Sequence, residues 1–187
     1  RPAVAVAGGG AGVVVPRGRV GCTDWLRRPA GRLAAAVYRR VAAALFGAGG
    51  TRRCLVSTMR DMMKGQGRAF ADIEAARNWL ANSSECTGKI GVIGFCMGGG
   101  FALLTAGSGF DAAAVNYRQL PRDLEAALAC AGPGVGSYGG RDAACKDAGP
   151  SVDEALNKAG TVADVKASPR ARQAVLKAPT SQPDPPA

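Results

Sequence analysis

Residues 89–104 have the sequence KIGVIGFCMGGGFALL. The apolar run over residues 90–95 predicts a short buried strand, and the small and apolar residues over 99–106 predict a helix. Cys96 lies between the two and is flanked by Gly94 and Gly98. A strand that turns sharply into a helix leaves little room for side chains at these two positions, which explains the glycines. The stretch therefore predicts a strand–turn–helix unit, as found in α/β folds.

Residues 94–98 have the Gly-x-Nuc-x-Gly spacing of a nucleophile elbow, with a cysteine in the place of the nucleophilic serine. In such an elbow the thiol of Cys96 lies at the N-terminus of the following helix, where the helix dipole favours the thiolate. The backbone N–H of Met97 is the expected first donor of an oxyanion hole, and the second is expected near Arg19, in the loop after an early strand. The motif predicts acyl transfer to Cys96. The alternative is a buried thiol beside a glycine-rich turn.

Strand and helix patterns alternate along the rest of the chain. Apolar runs predict strands over residues 11–15, 112–117, 134–138 and 163–166. Helical patterns cover residues 23–36, 69–81, 122–128 and 152–159. This alternation predicts an α/β fold, with a mostly parallel sheet and helices on both faces. We assign residues 1–167 to one domain, of which 1–20 are poorly defined, and expect the polar, proline-rich residues 168–187 to be a disordered tail.

Asp142 is the second candidate catalytic residue. It follows Gly139 and Gly140 after a late predicted strand, where the acid of a nucleophile–acid–histidine triad is found. The acid of such a triad orients the imidazole and stabilises its charge. An ordinary aspartate in a turn is the alternative.

Composition excludes several classes of site. The chain contains six cysteines and no histidine, and no Cys-x-x-Cys pair, so we expect no metal site and no cofactor. The cysteines other than Cys96 are expected to be small buried hydrophobic residues. Their wide spacing favours reduced thiols and a cytoplasmic location. No apolar run approaches the roughly 18 residues that span a bilayer, so no membrane segment is expected.

The net charge of +10 is concentrated at the N-terminal end, where residues 1–50 are rich in arginine and contain a single acid, Asp24. A basic, acid-poor region can bind nucleic acid or a membrane surface, or can target a protein to an organelle. Nucleic-acid modules usually place aromatic residues among the basic ones, and few are present here. We therefore expect no specific nucleic-acid partner, although a basic binding module remains an alternative function.

The chain resembles the dienelactone hydrolase (carboxymethylenebutenolidase-like) family of the α/β-hydrolase superfamily. The resemblance is closest over residues 88–103 and continues through 114–117 and 136–142; residues 68–77 and 45–47 are similar too. It implies the α/β-hydrolase fold and a Cys–His–Asp triad that opens lactones or cleaves small esters through a thioester. Cys96 would be the nucleophile and Asp142 the acid. The family favours small, often anionic, carbonyl compounds, and we expect a monomer.

The chain departs from the family pattern near both ends. Gln173 stands where the triad histidine is expected, and glutamine cannot accept a proton from a thiol near neutral pH. Gly18 stands where the family has a carboxylate that holds the cysteine. These departures lie in regions with an excess of Arg, Ala, Gly and Pro. They define the alternative function: a catalytically inactive or frame-shifted relative that lacks the triad histidine.

Overall fold

The computed structural model describes residues 10–17, 39–44, 51–117, 120–121, 123–140 and 147–168. Strands and helices alternate through these residues and confirm the α/β class. In chain order the elements are β1 (Gly10–Arg17), β2 (Arg39–Ala44), α1 (Thr51–Lys64), α2 (Arg68–Ala81), β3 (Cys86–Phe95), α3 (Met97–Thr105), β4 (Ala112–Asn116), α4 (Leu124–Leu128), β5 (Gly134–Gly139), α5 (Ala148–Lys158) and β6 (Ala163–Ser168).

The six strands form one sheet with the order β2-β1-β3-β4-β5-β6, and every pairing is parallel. Val14 of β1 is opposite Val92 of β3, and Ile93 of β3 is opposite Ala114 of β4. Because parallel strands end at the same edge, the turn after β3 and the segments after β1, β4 and β5 begin at one edge of the sheet. The predicted elbow lies at the centre of that edge.

The sheet has two apolar faces, because successive side chains of each strand point to opposite sides. The helix-covered face carries Ile90, Val92, Val115 and Tyr138, which are buried in one core with side chains of the helices. The second face carries Val13, Ile93, Ala114 and Val135. All the helix side chains described in the core pack on the helix-covered face. The helix predicted over residues 23–36 lies outside the described residues.

Helix α2 packs on the sheet through one stripe of apolar side chains. Its buried residues are Ala69, Ile73, Ala76 and Leu80, a spacing of three or four that forms one stripe. The carboxylate of Asp61 accepts a hydrogen bond from the backbone N–H of Ala69 at 3.1 Å and joins α1 to the start of α2. The helix observed over Arg68–Ala81 confirms the prediction for residues 69–81.

Two elements were not predicted from the pattern of apolar residues. Helix α1 has apolar residues at helical spacing, Leu55, Met59 and Met62, so its signal was present in the sequence. Strand β2 is RRVAAA, and its alanine and arginine favour a helix. It is a strand because it extends the sheet beside β1, an instance of tertiary pairing overriding local preference. Ser168, assigned to the tail from the sequence, is the last residue of β6.

None of the described helices is both long and apolar enough to cross a membrane.

Candidate active site

The predicted elbow is present at the end of β3. Cys96 has φ 53° and ψ −120° and directly precedes α3. Positive φ is unfavourable for a residue with a side chain and persists where the surroundings impose it. Here the backbone N–H of Cys96 donates to the carbonyl of Asn116 at 3.1 Å, and the N–H of Gly100 donates to the carbonyl of Cys96 at 3.2 Å. The neighbouring strand and the following helix thus hold the strained residue from both sides.

The two glycines of the motif are required by close backbone contacts. A Cβ at Gly94 would overlap the backbone of Gly98 and Gly99, and a Cβ at Gly98 would overlap the carbonyl oxygen of Pro16. The first contact lets α3 begin directly above the end of β3. The second places the first turn of α3 against the end of β1. The sequence interpretation of these glycines as a steric requirement is therefore correct.

The Cys96 side chain is exposed at the elbow, whereas the helix residues that follow it are buried. Cys96 is exposed, whereas Met97 and Phe101 of α3 are buried. The backbone N–H of Met97 belongs to the first turn of α3, whose N–H groups lack acceptors within the helix and favour negative charge. An exposed thiol beside such donors can act as a nucleophile toward a carbonyl carbon.

Two residues at the end of β4, Asn116 and Tyr117, contribute to the site and were not singled out from the sequence. The side-chain Nδ2 of Asn116 donates to the carbonyl of Gly94 at 3.2 Å, so Asn116 bonds the elbow through both its backbone and its side chain. Tyr117 follows with φ 41° and is buried, and its ring lies 6.2 Å from that of Phe95. The sequence gives both residues as part of a strand, and only the pairing of β3 with β4 brings them to Cys96.

Burial, and secondarily the charge of a nearby Cys96 thiolate, raises the pKa of Tyr117 to about 12. Its hydroxyl therefore keeps its proton at neutral pH. Among the described residues that hydroxyl has no hydrogen-bond partner. A buried hydroxyl without a partner is uncommon in proteins, and this one lies close to the candidate nucleophile.

Three predicted site residues lie outside the described residues: Arg19, Asp142 and Gln173. The second oxyanion donor, the triad acid and the position of the missing histidine therefore stay predictions.

Of the other cysteines, Cys130 is exposed and Cys86 is half-buried, so the expectation of burial was wrong for Cys130. Over the described part of the chain, no group of three or more Cys, Asp or Glu residues could hold a metal ion.

The elbow, the strand order and the parallel sheet point to the same family as the sequence motif. The sequence profile of the dienelactone hydrolase family matches residues 3–181. This chain belongs to the dienelactone hydrolase family. Membership places the fold among the α/β-hydrolases and supports a hydrolase function.

Individual relatives agree with the family assignment. The carboxymethylenebutenolidase of Pseudomonas putida is 33% identical over 84 residues, a match that covers 44% of this chain and 34% of that enzyme. The aligned part is thus about a third of the curated relative's length. A Klebsiella pneumoniae protein assigned as a dienelactone hydrolase superposes with a TM-score of 0.73 at 24% identity, covering 91% of this chain and 78% of that one.

A dienelactone hydrolase-like promiscuous phosphotriesterase from metagenomic libraries superposes with a TM-score of 0.72 at 22% identity, covering 90% of this chain and 74% of that one. At these identities the two superpositions establish the shared fold.

Proposed function

We propose that this chain transfers the acyl group of a small ester or lactone to Cys96 and forms a thioester there. The observation that carries the proposal is the exposed thiol of Cys96, held in a strained elbow at the start of α3. Membership of the dienelactone hydrolase family supports the same chemistry. The substrate is a small molecule and the protein acts as a monomer. A reducing, cytoplasmic environment keeps the thiol available.

The proposed reaction begins with the thiolate of Cys96. Its sulfur attacks the carbonyl carbon, and the electron pair of the C=O bond moves to the oxygen. The backbone N–H of Met97 donates a hydrogen bond to that oxyanion. When the C=O bond re-forms, the C–O bond of the ester or lactone breaks, and the leaving oxygen takes a proton from water. The acyl group then remains on sulfur as a thioester.

The second half of the reaction is expected to be slow. The 187 residues contain no histidine, so none of them supplies an imidazole to activate the water that hydrolyses the thioester. A thiol is the nucleophile least impaired by the loss of its base, because a few per cent of it is thiolate at pH 7. We therefore expect rapid acylation followed by slow turnover. The absence of histidine also supports the alternative, a catalytically inactive relative in which Cys96 does not acylate.

Intact-mass measurement after mixing with p-nitrophenyl acetate tests the proposal. We expect one acetyl group per chain on Cys96, released together with one equivalent of p-nitrophenolate, and no adduct in Cys96→Ala. Cys130→Ala is the matched control, because Cys130 is also an exposed thiol but lies outside the elbow. It should acylate like the wild type. Alkylation of Cys96 by iodoacetamide without any acyl adduct would instead identify the inactive relative.

A further inference from the structure

Two residues with strained backbones, Cys96 and Tyr117, lie side by side at the elbow. Among the described residues other than glycine, three have a positive φ, and these are two of them, with φ 53° and 41°. Phe95 of β3 pairs with Asn116 of β4, so the next residue of each chain segment is Cys96 on one side and Tyr117 on the other. The N–H of Cys96 donates to the carbonyl of Asn116 at 3.1 Å, which continues the pairing to this point. Paired strands lie about 4.8 Å apart, so the two residues are close neighbours.

The strained backbone of Tyr117 turns its ring toward the elbow. Side chains alternate along a strand, and Val115 of β4 is buried in the core of the helix-covered face. A regular continuation of β4 would place Tyr117, two residues later, on that same face. Tyr117 instead packs with Phe95 and Ile93 of the second face. A positive φ is costly for a residue with a large side chain, and strain of this kind is concentrated at functional sites.

The Tyr117 hydroxyl is a hydrogen-bond donor beside the nucleophile. The residue is 4% exposed, and its hydroxyl has no hydrogen-bond partner among the described residues. Burial and, after it, the charge of Cys96 raise the pKa of Tyr117 to about 12. Within the described part of the chain, no other charged group contributes to this rise. The hydroxyl therefore keeps its proton at neutral pH and lies near enough to Cys96 to respond to its charge.

We propose that the Tyr117 hydroxyl donates a hydrogen bond to the sulfur of Cys96 when the thiol is ionised, and so increases the share of thiolate at neutral pH. The inference rests on the acyl-transfer function proposed above. The thiol gives its proton to a base in solution, and Tyr117 keeps its own. The bond requires a rotation of the Cys96 side chain, which is exposed. Because bonds to a charged acceptor are stronger than neutral ones, the pairing favours the thiolate over the thiol. Tyr117 thus supplies part of the charge stabilisation that a histidine partner gives a catalytic cysteine.

The first test compares the alkylation of Cys96 by iodoacetamide in the wild type and in Tyr117→Phe between pH 6 and pH 10. Mass spectrometry of the peptide that contains Cys96 separates its rate from that of the other thiols. Loss of the bond lowers the thiolate share at pH 7 but leaves the remaining thiolate more nucleophilic, so we expect roughly threefold slower alkylation in Tyr117→Phe. At pH 10, where most of the thiol is ionised in both proteins, the variant should react faster than the wild type. The two pH profiles should therefore cross.

Tyr138→Phe is the matched control. Tyr138 is also 4% exposed and lies at the end of the next strand, β5, but it is buried in the core of the helix-covered face. Removing its hydroxyl should leave the alkylation profile of Cys96 like that of the wild type. Equal rates in Tyr117→Phe and the wild type at every pH would overturn the inference. Uniformly slower alkylation in Tyr117→Phe, without a crossing, would also overturn it, because that result indicates a displaced elbow.

The second test uses the reciprocal effect on Tyr117. Cys96→Ser removes the negative charge of the thiolate, so the phenolate absorbance of Tyr117 should appear at lower pH than in the wild type. The chain has three tyrosines, and the spectrum of Tyr117→Phe identifies the contribution of Tyr117. An unchanged titration in Cys96→Ser would contradict the proposed proximity of the two groups.

The two proposals for this site fail separately. An acyl adduct on Cys96 together with alkylation profiles that do not cross would overturn the role of Tyr117 and leave the acyl-transfer function intact. Profiles that cross, without an acyl adduct in the wild type, would overturn the acyl-transfer function and support the hydrogen bond to the thiolate.

Discussion

Both faces of the sheet are apolar in sequence, but in β3 and β5 they differ in burial. On the helix-covered face, Ile90 and Val92 are each 2% exposed beneath α2 and α3. On the second face, Ile93 of the same strand is half-buried and Val135 of β5 is 50% exposed. A strand with one face toward solvent would carry polar side chains on that face, whereas these strands are apolar on both, as is typical of parallel sheets. The apolar composition of both faces thus indicates a parallel sheet, whereas the burial of each side chain sets the stability lost when it is substituted.

The largest expected effect comes from Gly94→Ala, on the helix-covered face of β3. A Cβ there would overlap backbone atoms of Gly98 and Gly99, which cannot move aside like the end of a side chain. We expect a loss of at least about 3 kcal/mol in the free energy of unfolding, measured by urea denaturation, and loss of acylation at Cys96. Gly91→Ala is the matched control on the second face. Its Cβ would make only an ordinary contact, at 3.4 Å from the carbonyl oxygen of Ala112.

Gly91→Ala should therefore stabilise the protein by roughly 0.5 kcal/mol, because alanine loses less backbone entropy in a strand than glycine. Equal destabilisation by the two substitutions would contradict the assignment of Gly94 to a close contact.

The next largest effect compares two isoleucines of β3. Ile90→Ala should reduce the free energy of unfolding by roughly 2–4 kcal/mol, because the buried side chain leaves a cavity in the core. Ile93→Ala, on the second face, should cost about 1 kcal/mol, because its side chain is only partly removed from water. Urea denaturation of both variants measures the difference. If Ile93→Ala were the more damaging substitution, the helix-covered face would not be the main core.

Tyr117 lies at the end of the second face, where it packs with Phe95 and Ile93. Its pKa rises from 10.0 to about 12 in the folded protein, because burial disfavours the phenolate. The stability linked to this residue is therefore fully present below pH 10 and is lost as the pH rises toward 12. Over that interval the wild type should lose roughly 2 kcal/mol more than Tyr117→Phe.

Denaturation at pH 8 and at pH 11–12 measures this difference, and phenolate absorbance gives the titration itself. At pH 8 the two proteins should be about equally stable, because the hydroxyl has no hydrogen-bond partner among the described residues. If the Tyr117 hydroxyl titrated near pH 10, water would reach it and the prediction would be wrong.

The smallest effect is expected at Asp111, at the opposite edge of the sheet from Cys96. The backbone N–H of Ile90, at 2.8 Å, and the ammonium of Lys89, at 2.9 Å, hold the pKa of Asp111 below 3.8. The corresponding stability is present above pH 3.8 and is lost as the pH falls through the lower value of the folded state. Asp111→Asn should cost less than about 1 kcal/mol at pH 7, since Asp111 and Lys89 are exposed to solvent. Acid denaturation of Asp111→Asn should show a weaker dependence on pH than that of the wild type. If the stability of Asp111→Asn fell with pH as steeply as that of the wild type, the pairing of Asp111 with Lys89 would not contribute to stability.

Much of the fold could be predicted from local pattern. The strands β1, β3, β4, β5 and β6 and the helices α2 to α5 each have a run or stripe of apolar residues, and the predicted segments overlap the observed ones. Strand β2 and helix α1 are the exceptions. The sequence of β2 is locally helix-forming and becomes a strand only by pairing with β1. Helix α1 begins with polar residues, and its methionines become a recognisable group only where they meet α3 and the segment before α4.

The local sequence specifies the turn that carries Cys96, the candidate nucleophile. The spacing of Gly94, Cys96 and Gly98 is local, and the sterics of a strand that turns directly into a helix allow few alternatives. The tertiary structure decided everything that depends on residues distant in the chain. Tertiary packing brings Asn116 and Tyr117 to the elbow, assigns the apolar residues of each strand to the helix-covered or the second face, and groups three methionines in a cavity beside α3. The physical reason is that strand pairing joins residues from 20 positions apart, as Cys96 and Asn116 are, to 78 positions apart, as Val14 and Val92 are, and no local pattern specifies those contacts.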